Sequence, residues 1–317
     1  MFYIGVDLGG TGIKAGVVNQ QGEIIAKASC PTGVERGYGP VIADMAKLCI
    51  EAAEKAAVSM DDVAGIGIGI PGIQDPATGL VPFCTNLGWH QVPLVEEMHK
   101  YIDKPVFVGN DATVAGLAEA VAGVSAGAST SVFVTLGTGV GGGIVIDGKP
   151  YSGPNGVASE IGHMMTVAGG ELCTCGNRGC WERYSSATAI IREGRKFAEA
   201  HPDCAIAKAV DGDFDKIEAK TVIDLAKAGD PDCAALFDNY VYHLAVGLAN
   251  LVNLYDPEII ALGGGVSHAG DFLLDKVRAK LPEQIFYKTM PYARVELARL
   301  GNDAGIIGAA MLGTQEV

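Results

Sequence analysis

The sequence carries one glycine-rich hairpin motif twice, and this repeat limits the folds open to the chain more than any other feature. Leu8-Gly-Gly-Thr-Gly-Ile-Lys-Ala-Gly-Val17 follows a first strand, and Gly137-Thr-Gly-Val-Gly-Gly-Gly143 follows a strand in the second half. Thr11 corresponds to Thr138 and Gly16 to Gly143. In both copies the pattern predicts a returning strand after the glycines. The repeat therefore predicts two related domains.

Helices and buried strands alternate between and after the two motifs. Apolar residues recur at helical spacing over 41–58, and a buried strand is predicted over Val63–Ile70. A second strand ends at Gly109-Asn-Asp111, where a further helix begins. In the second half, a long helix over 231–254 precedes a strand over 258–262, and a helix over 301–312 closes the chain. This alternation predicts an α/β fold.

Composition excludes several classes of protein. The 317 residues include 23 Lys and Arg against 37 Asp and Glu, which gives a formal net charge of −14. An acidic chain repels phosphate backbones and anionic lipids, so neither nucleic acid nor a membrane surface is an expected partner. The 8 cysteines are partly dispersed, and the N-terminus has no basic segment before its strand, so we expect a reduced, cytoplasmic protein. The uncharged segment 120–146 is too rich in glycine and serine for a membrane helix.

Three glycine-containing segments match or nearly match nucleotide-binding motifs of other folds. Gly67-Ile-Gly-Ile-Pro-Gly72 and Gly137-Thr-Gly-Val-Gly-Gly142 match G-x-G-x-x-G, but neither lies between a strand and a helix. Gly143 to Pro150 nearly spells a P-loop, yet it lacks the Ser or Thr after Lys149. A dinucleotide-dependent oxidoreductase is therefore a weak alternative.

The glycine turns are better explained together. Two hairpins with a threonine at the tip can hold a polyphosphate through backbone N–H groups and hydroxyls, and a third turn, Gly263-Gly-Gly265, can lie against a base or ribose. In this order the motifs resemble those of the actin-like ATPase and sugar kinase superfamily, and specifically the ROK family (repressor, open reading frame, kinase). The resemblance covers essentially the whole chain.

The resemblance implies two actin-like ATPase (ribonuclease H-like) α/β domains with a cleft between them. We expect a small domain of residues 1–115 and 302–317 and a larger one of residues 116–301. ATP with Mg²⁺ is the implied cofactor, although some relatives also accept polyphosphate. The implied nucleotide contacts are Asp7, Gly9, Gly10, Thr11, Gly12, Lys14, Gly137, Thr138, Gly139, Gly263, Gly264 and Gly265.

Asp111 is the candidate catalytic residue. Phosphoryl transfer to an alcohol needs a carboxylate to accept the hydroxyl proton. The matching residue in the family has this role, whereas the structural alternative is that Asp111 only caps a helix beginning at Ala112. Asp7 is either an acid at a strand end or a group that organises Mg²⁺-bound water, and Lys14 either contacts phosphate or is solvated.

The resemblance also implies a set of sugar contacts. Thr85-Asn-Leu-Gly-Trp89 is similar to the family's sugar loop, and Glu160-Ile-Gly-His163 to its sugar-contacting pair. The structural alternative for Asn86 is an ordinary turn. The complete implied set is Gly72, Asn86, Asn110, Asp111, Glu160, His163 and Glu182.

Cys173-Thr-Cys-Gly-Asn-Arg-Gly-Cys180 is the most specific local signal. Together with His163, the thiolates of Cys173, Cys175 and Cys180 would form a closed Cys₃His site, which is typical of structural Zn²⁺. Unligated cysteines or a disulfide are the alternatives. The matching residues of the family bind zinc, which would fix His163 and anchor Glu182 near a bound sugar.

These observations favour an ATP-dependent hexose kinase that resembles the glucokinase branch of the family and makes glucose 6-phosphate. Mannose, N-acetylmannosamine and fructose stay open as substrates. A sugar-sensing repressor of the same family is disfavoured because such regulators have a DNA-binding helix-turn-helix before the first strand, which here starts at Phe2. The family also suggests a homodimer.

Overall fold

The structure is a computed structural model that describes residues 1–315. Twelve strands are defined within these residues: β1 (Phe2–Leu8), β2 (Gly12–Asn19), β3 (Ile24–Pro31), β4 (Val63–Ile70), β5 (Val81–Cys84), β6 (Trp89–Val92), β7 (Val106–Asn110), β8 (Thr130–Leu136), β9 (Val140–Ile146), β10 (Lys149–Pro150), β11 (Ile259–Gly263) and β12 (Arg294–Leu297). The helices of the described part are α1 (Tyr38–Lys55), α2 (Leu94–His99), α3 (Asp111–Ala122), α4 (Glu182–Ser185), α5 (Ala187–Ala200), α6 (Ala205–Ala209), α7 (Ala219–Lys227), α8 (Pro231–Tyr255), α9 (Asp271–Lys280) and α10 (Ala304–Leu312). Short 3₁₀ turns connect several of them.

The two halves of the chain build sheets of the same strand order. The first sheet has the order β3-β2-β1-β4-β7 and the second has the order β10-β9-β8-β11-β12. In the first sheet β2 pairs antiparallel with both β1 and β3, while β4 pairs parallel with β1 and β7. In both sheets the hairpin with the glycine-rich turn therefore occupies the same place. The internal repeat predicted from the sequence is a repeat of topology.

The glycine-rich turns are shorter than the sequence suggests. Strand β2 was expected from Ala15, but it begins at Gly12, and Leu8 pairs with Ile13 in the hairpin register. Strand β9 likewise begins at Val140 and not at Ile144. Glycine is compatible with extended backbone where its neighbours provide the pairing, so it does not end these strands. Each turn is reduced to a few residues held tightly between two strands.

The chain forms two compact units. Unit 1 comprises Met1–Phe133, Gly143–Ser159 and the described residues from Ala298 onward, and unit 2 comprises Val134–Gly142 and Glu160–Leu297. All of α3 lies in unit 1, and the two domains expected from the sequence stay a prediction. Residue 116, the expected boundary, falls inside that helix.

Helix α10 packs in unit 1 against the sheet and α3. Ile306 and Ala310 of α10 share a buried cluster with Tyr3 of β1 and Leu117 of α3. The contact is so close that a Cβ at Gly67 of β4 would lie 1.7 Å from the carbonyl oxygen of Ala309. This packing explains the glycine of β4 without any ligand. The other face of the sheet is covered by α1, whose buried residues include the four predicted at helical spacing: Val41, Met45, Leu48 and Ala52.

Among residues 1–315, no helix combines the length and the apolar character needed to cross a lipid bilayer. The uncharged segment 120–146 forms the end of α3 followed by β8 and β9.

Candidate functional site

The first glycine turn joins β1 to β2. It is closed by a hydrogen bond from the Gly9 amide to the Gly12 carbonyl, at 3.0 Å. Thr32, a fully buried residue just after β3, donates its hydroxyl to the Gly9 carbonyl at 2.6 Å, and its amide donates to the Thr11 carbonyl at 3.2 Å. Thr11 itself is exposed at the tip. The turn is therefore anchored from within unit 1 and presents its tip outward.

Asp7 has a fixed position beside this turn. It pairs across the hairpin with Lys14, and Lys14 Nζ lies 3.3 Å from Asp7 Oδ2. On the other side, a Cβ at Gly305 would lie 2.7 Å from Asp7 Cγ, so the first turn of α10 packs directly against the carboxyl group. Any larger residue at 305 would displace the carboxylate. The role of Lys14 as a phosphate contact stays a prediction, since its ammonium pairs with Asp7.

Asn110, and not Asp111, is the N-cap residue of α3. Asn110 Oδ1 accepts hydrogen bonds from the amides of Ala112 at 3.0 Å and Thr113 at 3.3 Å. The expected alternative, in which Asp111 caps a helix beginning at Ala112, is therefore wrong: the helix begins at Asp111 itself. Asn110 Nδ2 also donates to the Gly72 carbonyl at 3.4 Å, which links the ends of β7 and β4.

Asp111 is exposed in the first turn of α3. Its Oδ1 accepts a hydrogen bond from the Ala112 amide at 2.8 Å. The carboxylate thus lies at the carboxyl end of a parallel strand and at the positive end of a helix dipole. This placement holds a negative charge in one orientation on an exposed residue.

Gly72 packs against the end of β5, and Asn86 lies in the turn that follows that strand. A Cβ at Gly72 would lie 2.8 Å from the Cβ of Cys84, so the position requires glycine for packing alone. Asn86 is exposed in a 3₁₀ turn, Thr85–Leu87, and its carbonyl oxygen lies 3.5 Å from the position of a Cβ at Gly10. The predicted sugar loop and the first predicted phosphate turn are therefore neighbours.

The second glycine turn, between β8 and β9, is closed by the Gly137 amide donating to the Gly139 carbonyl at 3.0 Å. The start of α5 anchors it. The Ala187 amide donates to the Gly137 carbonyl at 2.8 Å, and the Thr188 hydroxyl donates to the Thr138 carbonyl at 2.7 Å. Thr138 is exposed, as Thr11 is in the first turn.

The third glycine turn lies beside the second. Gly263 ends β11 and is buried, and Gly265 is exposed. Gly264 has φ 82°, and a Cβ there would lie 2.6 Å from the amide nitrogen of Leu136 at the end of β8. Both the positive φ and the close contact require glycine. Unit 2 thus brings two of the three predicted nucleotide motifs together.

The four predicted metal ligands form one cluster in unit 2. The ligand atoms of His163, Cys173, Cys175 and Cys180 all lie within 4.8 Å of one another. Cys173 Sγ is 3.7 Å from His163 Nδ1, and Cys175 Sγ is 3.6 Å from Cys180 Sγ. A tetrahedral Zn²⁺ site with ordinary bond lengths has ligand–ligand distances of about 3.5–3.8 Å. The donor set therefore fits a zinc ion.

Burial controls the acidity of these thiols. Desolvation raises the pKa of Cys173 and raises that of Cys180 to about 12. Cys175 is exposed, and the backbone N–H of Asn177 lowers its pKa. Cys173 and Cys180 are thus neutral thiols near pH 7 when no cation is bound.

Three predicted sugar contacts belong to this cluster or lie beside it. His163 turns Nδ1 toward Cys173, while its Nε2 lies 4.0 Å from Glu160 Oε2. Glu182 Oε1 accepts a hydrogen bond from Cys173 Sγ at 3.1 Å. Glu182 Oε2 lies 2.6 Å from the position of a Cβ at Gly139. The cysteine cluster, the predicted sugar carboxylates and the second glycine turn are therefore in contact.

Three residues of the site were missed from the sequence. Thr32 and Thr188 hold the glycine turns, and Gly305 makes room for Asp7. None of them lies in a glycine-rich motif, and each contact is long-range in sequence. No local pattern marks them, because the strand before Thr32 is largely exposed and a threonine there resembles any other residue at a strand end.

Comparison with known proteins extends these observations. The model of the ROK family matches residues 3–316 of the chain. A glucokinase from Halalkalibacterium halodurans is 38% identical over 319 residues, which cover 99% of this chain and 96% of that protein. A glucokinase from Thermotoga maritima is 37% identical over 310 residues, covering 98% of this chain and 96% of the relative.

A solved structure gives the corresponding similarity in three dimensions. The ROK family glucokinase from Streptomyces griseus, crystallised in complex with glucose and AMPPNP, matches with a TM-score of 0.82 and 36% sequence identity. The match covers 99% of this chain and 100% of that one.

Proposed function

We propose that this chain, which belongs to the ROK family, is a glucokinase that transfers the γ-phosphoryl group of ATP to the 6-hydroxyl of glucose. Its fold is the actin-like ATPase (ribonuclease H-like) fold predicted from the sequence. Two relatives named as glucokinases are similar over nearly the whole chain. The observation that carries the proposal is the oriented, exposed carboxylate of Asp111 in the same unit as a glycine turn of the family's phosphate-binding type.

Asp111 is the proposed general base. The hydroxyl of a sugar is a poor nucleophile until its proton is removed, and a positioned carboxylate removes it as the phosphoryl group is transferred. The Ala112 amide occupies one side of Asp111 Oδ1, and the helix dipole favours the negative charge. The hydroxyl of the sugar would meet this exposed carboxylate. Asn110 and Gly72 hold this strand end in place.

The glycine turns are the proposed phosphate sites. Backbone N–H groups in a tight turn form an anion-binding concavity, and the hydroxyls of Thr11 and Thr138 add donors at the exposed tips. Gly264 and Gly265 supply a flat backbone surface for the adenosine. Mg²⁺ bound to the nucleotide neutralises phosphate charge, and Asp7, fixed by Lys14 and Gly305, would hold its water ligands.

Glucose specificity is assigned to paired polar groups. The proposed contacts to ring hydroxyls, which are best held by bidentate polar side chains, are Asn86, Glu160, His163 and Glu182. The Nε2 atom of His163, turned away from the cysteines, is available for a hydroxyl. A structural Zn²⁺ on His163, Cys173, Cys175 and Cys180 would fix that ring directly, and it would fix Glu182 through Cys180, which lies two residues before it. We further propose a cytoplasmic homodimer.

The direct test measures ADP release from Mg-ATP, with and without glucose, for the wild type and Asp111→Asn. Asparagine keeps the size of the side chain and leaves the cap in place, since Asn110 is the N-cap. We expect glucose-dependent release in the wild type and a loss of about 10²–10⁴ in kcat in the variant. The melting temperature of the variant should match the wild type.

Each other outcome has a clear meaning. An Asp111→Asn enzyme within a few-fold of wild type would remove Asp111 from the mechanism. Release with mannose, N-acetylmannosamine or fructose, but not with glucose, would assign the chain to a sibling kinase. No release with any hexose would favour a sugar-sensing protein.

A further inference from the structure

Two threonines outside the glycine motifs make the same kind of contact with the two turns. We propose that Thr32 and Thr188 are positioning residues, which orient the backbone N–H groups of the two turns toward the phosphates of the nucleotide. The inference rests on the proposed function, because it explains how the backbone of the proposed phosphate-binding turns is oriented. Neither residue needs to touch the ligand.

In the first turn, two carbonyl groups are held from the protein side. The Thr32 hydroxyl takes no part in the hydrogen bond that closes the turn. It donates to the Gly9 carbonyl at 2.6 Å, and the Thr32 amide donates to the Thr11 carbonyl at 3.2 Å. Thr32 is fully buried, so these donors lie inside unit 1. The carbonyls of Gly9 and Thr11 therefore point inward.

In the second turn, two consecutive carbonyls are held in the same way. The Ala187 amide donates to the Gly137 carbonyl at 2.8 Å, and the Thr188 hydroxyl donates to the Thr138 carbonyl at 2.7 Å. Both donors belong to the first turn of α5. A helix start thus replaces the strand end that serves the first turn.

Planar trans peptides convert these anchors into an anion site. In a trans peptide the C=O of one residue and the N–H of the next point in opposite directions. Carbonyls held at Gly9 and Thr11 direct the N–H groups of Gly10 and Gly12 away from Thr32. By the same geometry, the N–H groups of Thr138 and Gly139 point away from α5. Two outward N–H groups per turn are the arrangement that binds phosphate oxygens.

The repeat supplies an internal comparison. Thr32 follows β3, whereas Thr188 lies in a helix well beyond β10, the strand that corresponds to β3. The two threonines are therefore not equivalent positions of the repeat. The same device, one hydroxyl and one backbone amide on two carbonyls of the turn, arises from different elements. The internal repeat therefore does not explain why both turns have this pair of hydrogen bonds.

The test compares Thr32→Val and Thr188→Val with Thr32→Ser and Thr188→Ser. Valine keeps the shape but removes the hydroxyl, and serine retains it. The dissociation constant of the nonhydrolysable analogue AMPPNP with Mg²⁺ is measured by calorimetry without sugar, and KM for ATP and glucose by ADP release. We expect valine to weaken AMPPNP binding and raise the KM for ATP by about three- to tenfold, the usual effect of one hydrogen bond. The KM for glucose should stay within twofold, and serine should restore both nucleotide constants.

Equal AMPPNP affinity in the valine and serine variants would overturn the inference, even if valine lowers the melting temperature, because a purely structural role predicts only the latter. If Thr32→Val does not fold, Thr188→Val, on a partly exposed residue, decides the outcome. A wild type that binds AMPPNP but phosphorylates no hexose would contradict the proposed function, while the binding comparison would still test the threonines. A wild type that binds no nucleotide would overturn both.

Discussion

Glu182 lies directly against Gly139: a Cβ built on that glycine would be 2.6 Å from Glu182 Oε2. The other carboxylate oxygen, Oε1, accepts a hydrogen bond from Cys173 at 3.1 Å. In unit 2, Glu182, a proposed sugar contact, therefore lies against both a proposed phosphate turn and Cys173, a proposed zinc ligand. Gly139 has no positive φ, so the space taken by Glu182, and not backbone conformation, requires a glycine here.

Gly139→Ala should therefore weaken glucose binding. The new methyl group forces the Glu182 carboxylate to move, and we expect the KM for glucose to rise by about tenfold, the cost of one displaced charged hydrogen bond. Gly137→Ala is the matched control in the same turn, because no atom lies within 4 Å of a Cβ there. It can alter the KM for ATP but should leave the KM for glucose unchanged. Equal glucose constants for both variants would show that Glu182 does not contact the sugar.

Asn110→Ala should destabilise unit 1. It removes the N-cap of α3 and the contact with the Gly72 carbonyl, so we expect the free energy of unfolding to fall by about 0.5–2 kcal/mol. Urea denaturation measures the change. Asn110→Asp retains a capping oxygen and should recover most of the loss. If aspartate and alanine destabilise equally, the cap is not what stabilises this strand end.

The sequence predicted the fold through its periodicities and its repeat. Val63–Ile70 is a strand with the predicted bounds, and α8 ends within one residue of the prediction, because a Pro at its start and a long apolar stripe leave little freedom. The limits of the units were not predictable, because the packing of α3 against α10 depends on residues far apart in the chain.

The site was predictable where the chemistry is local in sequence. The cysteine cluster combines three closely spaced residues with one nearby histidine, and the structure brings all four ligand atoms together. Contacts such as Glu182 with Gly139, or Thr188 with Thr138, join segments that only the tertiary fold makes adjacent. The structural alternative placed the cap of α3 at Asp111, and the structure has it at Asn110, because both residue types favour that position.

Removing the proposed zinc should weaken glucose binding before it unfolds the protein. The cluster orients His163 and Glu182, while the buried core of unit 1 contains none of its residues. After chelation we expect the KM for glucose to rise by about tenfold, with little loss of helical signal in circular dichroism. Cys175→Ser, at an exposed ligand, should reproduce the effect. Cys204→Ser is the control, because that cysteine caps α6 and serine caps equally well. Unchanged glucose affinity in a sample shown by mass spectrometry to lack metal would contradict this prediction.

Zinc affinity should rise steeply with pH. Burial raises the pKa of Cys173 and raises that of Cys180 to about 12, so without metal both thiols stay protonated from pH 6 to pH 8. Zinc binds thiolates, so binding must release these protons, and a lower proton concentration favours binding. Each released proton gives about a tenfold change in the association constant per pH unit, so the two buried thiols alone contribute roughly 100-fold. Competition with a chromophoric chelator at pH 6, 7 and 8 measures the slope. Cys175→Ser should bind more weakly at every pH, but its affinity should still rise with pH because the two buried thiols remain. A pH-independent affinity would mean that Cys173 and Cys180 are not ligands.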